Sequence, residues 1–280
     1  VRQNSYDAIL GCYEDCIDEP LLQAAGDKLK LVSVMSNGIE NVDLAACQKY
    51  GVKVANVPGV TTDAIADYAI ALLLMGIRRL DRYLPGEQDS VAPYYYLGNL
   101  HGFALSQLTI GIVGMGQIGR AIAKRLVGFG SRTVYCSRQP KPELEQQYSL
   151  KYLGFEQLLS DSDAIIICCS LNESTRNLFA ASAFKTMKQR AILLNLARGE
   201  ICNQDDLYHA LSEESIAMAL LDVTAPEPLP RTHPLHQLDN CLIFPHIATN
   251  TEDSRREICD RAWQQILTVL LSASGETICC

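Results

Sequence analysis

The sequence predicts an α/β protein built on parallel sheets. Three observations carry that prediction. Short apolar runs alternate with amphipathic stretches from end to end, most runs are continuously apolar rather than alternating, and a glycine-rich turn joins one run to a helix. Strands covered by helices on both faces read this way, because neither face has water to meet. With 280 residues and 48% hydrophobic content, the chain can fill one large domain or two ordinary ones.

Taken in order, the apolar runs place strands at 7–12, 29–35, 53–57, 109–114, 133–137, 163–169, 191–196, 218–223 and 241–245. Between them, helices are expected near 20–26, 43–50, 62–80, 117–129, 155–160, 180–187, 203–213 and 252–272. The segment from 82 to 108 holds Pro, Gly and Tyr with weak periodicity, and it separates an early block from one opening at Thr109. Two domains follow: residues 1–80 with 252–280, and residues 81–251. The last helix, SRREICDRAWQQILTVLL, is expected to cross back onto the first block.

A net charge of −8 argues against a nucleic-acid partner held by general electrostatics. No run is long and apolar enough to span a bilayer; IADYAIALLLMGIRRL is short and carries Asp67. The 11 cysteines are odd in number and lack framework spacing, and neighbours such as Cys168 and Cys169 point to opposite faces of a strand. A reduced, cytoplasmic protein is expected. Cys12 and Cys16 read as lone thiols, and His233 and His236, with Pro234 between them, as loop residues, so no metal site is expected.

TIGIVGMGQIGRAIAKRL carries Gly114, Gly116 and Gly119 in G-x-G-x-x-G spacing. Alone the pattern is weak, but here it follows a strand and opens a helix, as a dinucleotide site requires. The first glycine allows the turn, the second lets a pyrophosphate approach, and the third lets helix and strand pack. Met115, Gln117 and Ile118 complete the loop. The next strand should end beside the adenosine ribose, where an acid would select NAD. Here the residues are Ser137, Arg138, Gln139 and Pro140, and the first acid is Glu143. A guanidinium and a hydroxyl suit a 2′-phosphate, so NADPH is the expected cofactor, with NAD as the alternative.

Three later strands end on chemistry. LLNLARGEI delivers Arg198, ALLDVTAPEPLP delivers Asp222 and Glu227, and IFPHIATN delivers His246. Carboxyl ends of parallel strands share one rim, where ligands bind.

With these motifs in order, the chain resembles the D-isomer-specific 2-hydroxyacid dehydrogenases, and within them the glyoxylate/hydroxypyruvate reductases. The likeness also includes SNGIENVD (36–43) and VPGVTTDAIAD (57–67). It implies a Rossmann-type doubly wound sheet for the cofactor and a smaller flavodoxin-like substrate domain, here without its first strand and helix. It implies reduction of a small 2-keto acid in a cleft between the domains. Arg198 would bind and polarise the substrate, and His246, paired with Glu227, would give the proton. Asn37 and Gly38 would receive the substrate carboxylate, with Thr249 nearby. Thr62, Ser170, Leu196, Asp222 and Ala248 would line the cofactor. The likeness also implies a homodimer. A broader 2-ketoacid or ketogluconate reductase is the alternative within the family; a dinucleotide-sensing corepressor is the alternative outside catalysis.

Departures accompany the likeness. Asp67 stands where a glutamate is usual, Ala248, Thr249 and Asn250 replace the usual glycine and small residues, and PYYYLGNL (93–100) replaces a tryptophan-rich region.

Overall fold

The computed structural model describes residues 5–83 and 102–274. PYYYLGNL therefore lies outside the described residues. The chain forms two compact units, one running to Thr61 and resuming at Thr249, the other spanning Thr62–Ala248.

In the first unit, β1 (Ala8–Gly11), β2 (Leu31–Val34) and β3 (Lys53–Ala55) form a parallel sheet in that order. Helix α1 (Glu19–Ala25) joins β1 to β2, and α2 (Leu44–Lys49) joins β2 to β3. Aspartates start both helices: Asp18 accepts from the Leu21 N–H and Asp43 from the Ala46 N–H, each satisfying a donor the first turn leaves over. Leu22, Val32, Val34 and Cys47 lie in the shared core.

The second unit opens with α3 (Thr62–Arg78). After it come β4 (Thr109–Val113), α4 (Gln117–Val127), β5 (Arg132–Cys136), α5 (Pro142–Tyr148), β6 (Lys151–Tyr152), α6 (Phe155–Asp161) and β7 (Ala164–Ile167). The remainder is α7 (Ala181–Thr186), β8 (Ile192–Asn195), α8 (Gln204–Ser212), β9 (Met218–Leu221) and β10 (Cys241–Ile243). All seven strands run parallel in the order β10-β9-β8-β7-β4-β5-β6. Successive side chains serve opposite cores: Ile166 joins α3 and α4 residues on one face, while Ile165 and Ile167 join α6, α7 and α8 residues on the other. This two-sided burial explains the continuous apolar runs.

Two elements exceed the sequence expectation. Helix α5 buries only Leu144, and β6 is two residues long, so neither shows a readable period. The unit boundaries also fall at Thr61/Thr62 and Ala248/Thr249 rather than near residues 80 and 251. The cause is what α3 packs against. A Cβ on Gly76 would sit 2.9 Å from Leu220 of β9 and 3.3 Å from Ile192 of β8, so glycine lets helix and sheet touch. Arg125 of α4 then donates to Asp67 at 2.6 Å and to Asp63 at 3.0 Å. The aspartate at 67 thus pairs the two helices.

From Thr249 the chain rejoins the first unit through α9 (Glu252–Ser274), which lies on β1 and β2. The fully buried Ser33 hydroxyl of β2 donates to Gln265 of α9 at 2.8 Å, and Gln265 donates to the Asn56 carbonyl at 2.8 Å. A polar group inside a strand is thereby satisfied by the helix that covers it.

Candidate active site

The large sheet presents all its carboxyl ends on one rim, and its order reverses between β4 and β7. Such a reversal point is where open α/β sheets take ligands.

There β4 feeds Gly114, whose φ of +102° suits glycine. Its N–H donates to the Cys136 carbonyl at 2.9 Å, and a side chain there would press to within 2.6 Å of the Cys169 nitrogen. A Cβ on Gly119 would collide with the Gly114 carbonyl oxygen. Gly116 is the opposite case, since a Cβ there meets nothing within 4 Å. No side chain caps the start of α4. Two glycines therefore close the turn, and the third leaves open space beside the unpaired N–H groups of a helix start. That cradle fits a dinucleotide pyrophosphate. Met115 is buried beneath it, while Gln117 and Ile118 begin the helix.

At the end of β5, the Ser137 hydroxyl donates to the Gln139 carbonyl at 2.6 Å. Arg138, Gln139 and Pro140 are exposed. The Arg138 guanidinium has no hydrogen bond or ion pair with any described residue. Glu143 lies in α5.

On the other side of the reversal, β8 ends at Asn195, which is 1% exposed. Its amide donates to the Arg198 carbonyl at 2.9 Å and its oxygen accepts from the Ala197 N–H at 3.1 Å. A Cβ on Gly199 would overlap the Thr224 carbonyl, so the Arg198 turn passes flush against the segment after β9. Gln204 grips that segment at both ends of one residue, accepting from the Ala225 N–H at 2.9 Å and donating to the Ala225 carbonyl at 2.5 Å. Two residues on, Glu227 meets His246: Oε2 lies 3.2 Å from Nδ1.

His246 holds a left-handed backbone, φ +52°, which is uncommon away from glycine. Asp222, 1% exposed, fixes that turn. Its carbonyl accepts the His246 N–H at 3.0 Å, Oδ1 accepts the Ile247 N–H at 2.9 Å and Oδ2 accepts the Ala248 N–H at 3.0 Å. The His246 pKa is raised, first by the hydrogen bond to Glu227. Burial opposes the rise, the Glu227 and Asp222 charges add to it, and the nearby Arg198 charge subtracts.

The fold thus gathers Arg198, Asp222, Glu227 and His246 on one rim, with Ser170 after β7 and the buried Leu196 after β8 on the same edge. Thr62 begins α3. Asn37, Gly38 and Thr249 belong to the smaller unit. There Asn56 donates to the Asn37 carbonyl at 2.6 Å and Ser36 to the Gly38 carbonyl at 2.5 Å. Sequence reasoning missed Asn195 and Gln204; the only available signal was a polar residue closing an apolar strand and another opening a helix.

A glycine cradle at the reversal point and an imidazole–carboxylate pair on the same rim define a nicotinamide-dinucleotide oxidoreductase. The family described as "D-isomer specific 2-hydroxyacid dehydrogenase, NAD binding domain" matches residues 70–248. The glyoxylate reductase/hydroxypyruvate reductase of Mus musculus is 42% identical over 261 residues, covering 91% of this chain and 78% of the relative. The Homo sapiens protein of the same name is 41% identical, covering 94% and 80%. Among solved structures, the TT0316 protein from Thermus thermophilus superposes with a TM-score of 0.86 at 36% identity, covering 98% of this chain and 85% of that one. The chain belongs to the D-isomer-specific 2-hydroxyacid dehydrogenases. It is an NAD(P)-dependent enzyme that reduces a 2-keto acid to a 2-hydroxy acid.

Proposed function

We propose that the enzyme reduces glyoxylate and hydroxypyruvate with NADPH, and that Arg198, Glu227 and His246 are its catalytic residues. The observation that carries this reading is the 3.2 Å contact between His246 Nδ1 and Glu227 Oε2, with the Arg198 charge within reach of the same imidazole. The names of the mouse and human relatives support the choice of substrates.

The residues divide the work. Arg198 neutralises the substrate carboxylate and draws electron density toward the keto oxygen. His246 holds a proton for that oxygen, and Glu227 keeps the imidazole charged to higher pH than an isolated histidine. A positioned acid of this kind contributes about 10²–10⁴ in rate. Asn37, Gly38 and Thr249 complete the substrate contacts in this proposal. The cofactor would be held by the Gly114–Gly119 loop and by Thr62, Ser170, Leu196, Asp222 and Ala248. When bound, it supplies the hydride that becomes the new C–H bond.

The preference for NADPH rests on Ser137 and on Arg138, which no described residue engages, with Gln139 and Pro140 shaping the same loop. Such a guanidinium can take a 2′-phosphate without giving up another partner. Residues 62–248 would serve the cofactor and the smaller unit the substrate. A homodimer in the cytoplasm completes the proposal; sedimentation at working concentration tests the former and cell fractionation the latter.

The deciding experiment follows nicotinamide absorbance with NADPH and NADH against glyoxylate, hydroxypyruvate and pyruvate. Faster turnover with NADPH, and with the first two acids over pyruvate, is expected. Preference for NADH, or for pyruvate, overturns the corresponding half of the proposal.

A further inference from the structure

Glu227 lies between β9 and β10, in a segment that belongs to no strand or helix. The Thr224 hydroxyl donates to the Pro226 carbonyl at 2.9 Å, a bond that shapes the segment from within but ties it to nothing else. The contact of Gly199 with Thr224 brings the segment close to the Arg198 turn, but packing alone has no direction. Gln204 supplies the directional tie. Its amide oxygen accepts from the Ala225 N–H and its NH2 donates to the Ala225 carbonyl, so it holds Ala225 as a neighbouring strand would. A primary carboxamide, with an acceptor and a donor side by side, matches both backbone groups of one residue.

Gln204 is held in its own right. It opens α8 directly after Asn203, whose side chain accepts from the Asp205 and Asp206 N–H groups at 3.1 Å each. The Asn203 N–H donates to the Phe179 carbonyl at 2.9 Å. Upstream, the Ile201 N–H donates to the Arg198 carbonyl at 3.2 Å and the Cys202 N–H to the Gly199 carbonyl at 3.0 Å, with Ile201 and Cys202 both buried. Arg198 and Gln204 are therefore the two ends of one short, hydrogen-bonded block. One end presents a guanidinium, and the other grips the segment that carries Glu227. Reduction of a 2-keto acid needs a cation at the carboxylate and a proton donor at the adjacent oxygen, at a fixed separation.

Resting on the catalytic reading above, we propose that Gln204 is a positioning residue: by clamping Ala225 it fixes Glu227 against His246 and sets the spacing of that pair from Arg198. In this role it acts through Glu227 and touches neither substrate nor cofactor.

The test is Gln204→Met, which keeps the length of the side chain and removes both bonds. The charges that bear on His246 are Glu227, Asp222 and Arg198. Asp222 is anchored on the Ile247 and Ala248 N–H groups and the Arg198 carbonyl on Asn195, so the clamp governs Glu227. In the variant, kcat should fall about 5–150-fold, the span of two neutral hydrogen bonds, while KM for the keto acid stays within about twofold. The alkaline limb of the reduction rate should move down in pH, as in Glu227→Gln. Both substitutions act through one contact, so adding Gln204→Met to Glu227→Gln should cost less than about twofold more. A purely structural role would lower the melting temperature and the rate without moving the limb. Gln204→Glu keeps the acceptor for the Ala225 N–H but sets an oxygen against the Ala225 carbonyl; it should move the limb the same way, and it carries the test if the methionine variant does not fold. An unmoved limb, or losses that multiply in the double variant, overturns the assignment. If Glu227→Gln itself leaves the limb in place, the catalytic reading fails instead.

Discussion

Asp222→Asn is the sharpest probe of how His246 is held. The aspartate carboxylate accepts two backbone N–H groups at 2.9 and 3.0 Å in a site that is 1% exposed. An asparagine offers one oxygen and one NH2. One bond then drops from charge-assisted to neutral, a loss of roughly 1 kcal/mol, and the other sets donor against donor. A buried N–H left unpaired costs about 1–3 kcal/mol. Together the turn loses roughly 2–4 kcal/mol of restraint on a left-handed His246. If that falls on the placement of the imidazole, kcat should drop about 10–10³-fold, at one decade per 1.36 kcal/mol. Steady-state kinetics measure the drop, and amide hydrogen exchange at Ile247 and Ala248 should accelerate in parallel. A variant that keeps kcat within about twofold of the parent, with both amides still protected, refutes the idea that Asp222 positions the histidine.

Other perturbations test the remaining parts. Glu227→Gln removes the leading cause of the raised His246 pKa. The imidazolium then deprotonates at lower pH, so the alkaline limb of the reduction rate should move down in pH; an unmoved limb means another group supplies the proton. Arg138→Asp should weaken NADPH binding about 10–100-fold, the worth of a charge-assisted pair, while NADH binding changes little; equal losses would remove the basis for NADPH preference. Gly116→Ala should leave the ligand-free melting temperature unchanged and weaken NADPH binding, because the space there is open. Gly119→Ala should lower the melting temperature, since its methyl group has no room beside the Gly114 carbonyl. Matching melting temperatures for the two alanine variants would contradict the packing described.

Much of this architecture could be read from residues alone. Strands such as AIII at β7 bury every position, so they announce themselves without structure. The PELEQQY helix does not, because one buried leucine sets no period. The amphipathic pattern of 62–78 shows that α3 has an apolar face but not which sheet receives it; only the contact of Gly76 with β8 and β9 decides. The site divides in the same way. Gly114, Gly116 and Gly119 are legible because a phosphate turn needs glycine at fixed spacing. Asp222 is legible as a strand-end acid, but its grip on the N–H groups of Ile247 and Ala248, 25 and 26 residues onward, has no sequence signature. Gln204 and Asn195 are invisible for the same reason, since bonds from a side chain to distant backbone follow no periodicity.

The clasp between Ser33 and Gln265 joins residues 232 positions apart. During synthesis, at about 5–20 residues per second, the cover for β2 reaches it roughly 10–50 s after the strand itself emerges. Through that interval the small sheet waits with an oily flank and a hydroxyl that nothing answers. The larger unit waits as well, since Gly76 of α3 meets Leu220 of β9, but its chain is complete at Ala248, before α9 has been made, so the smaller unit is the later of the two to close.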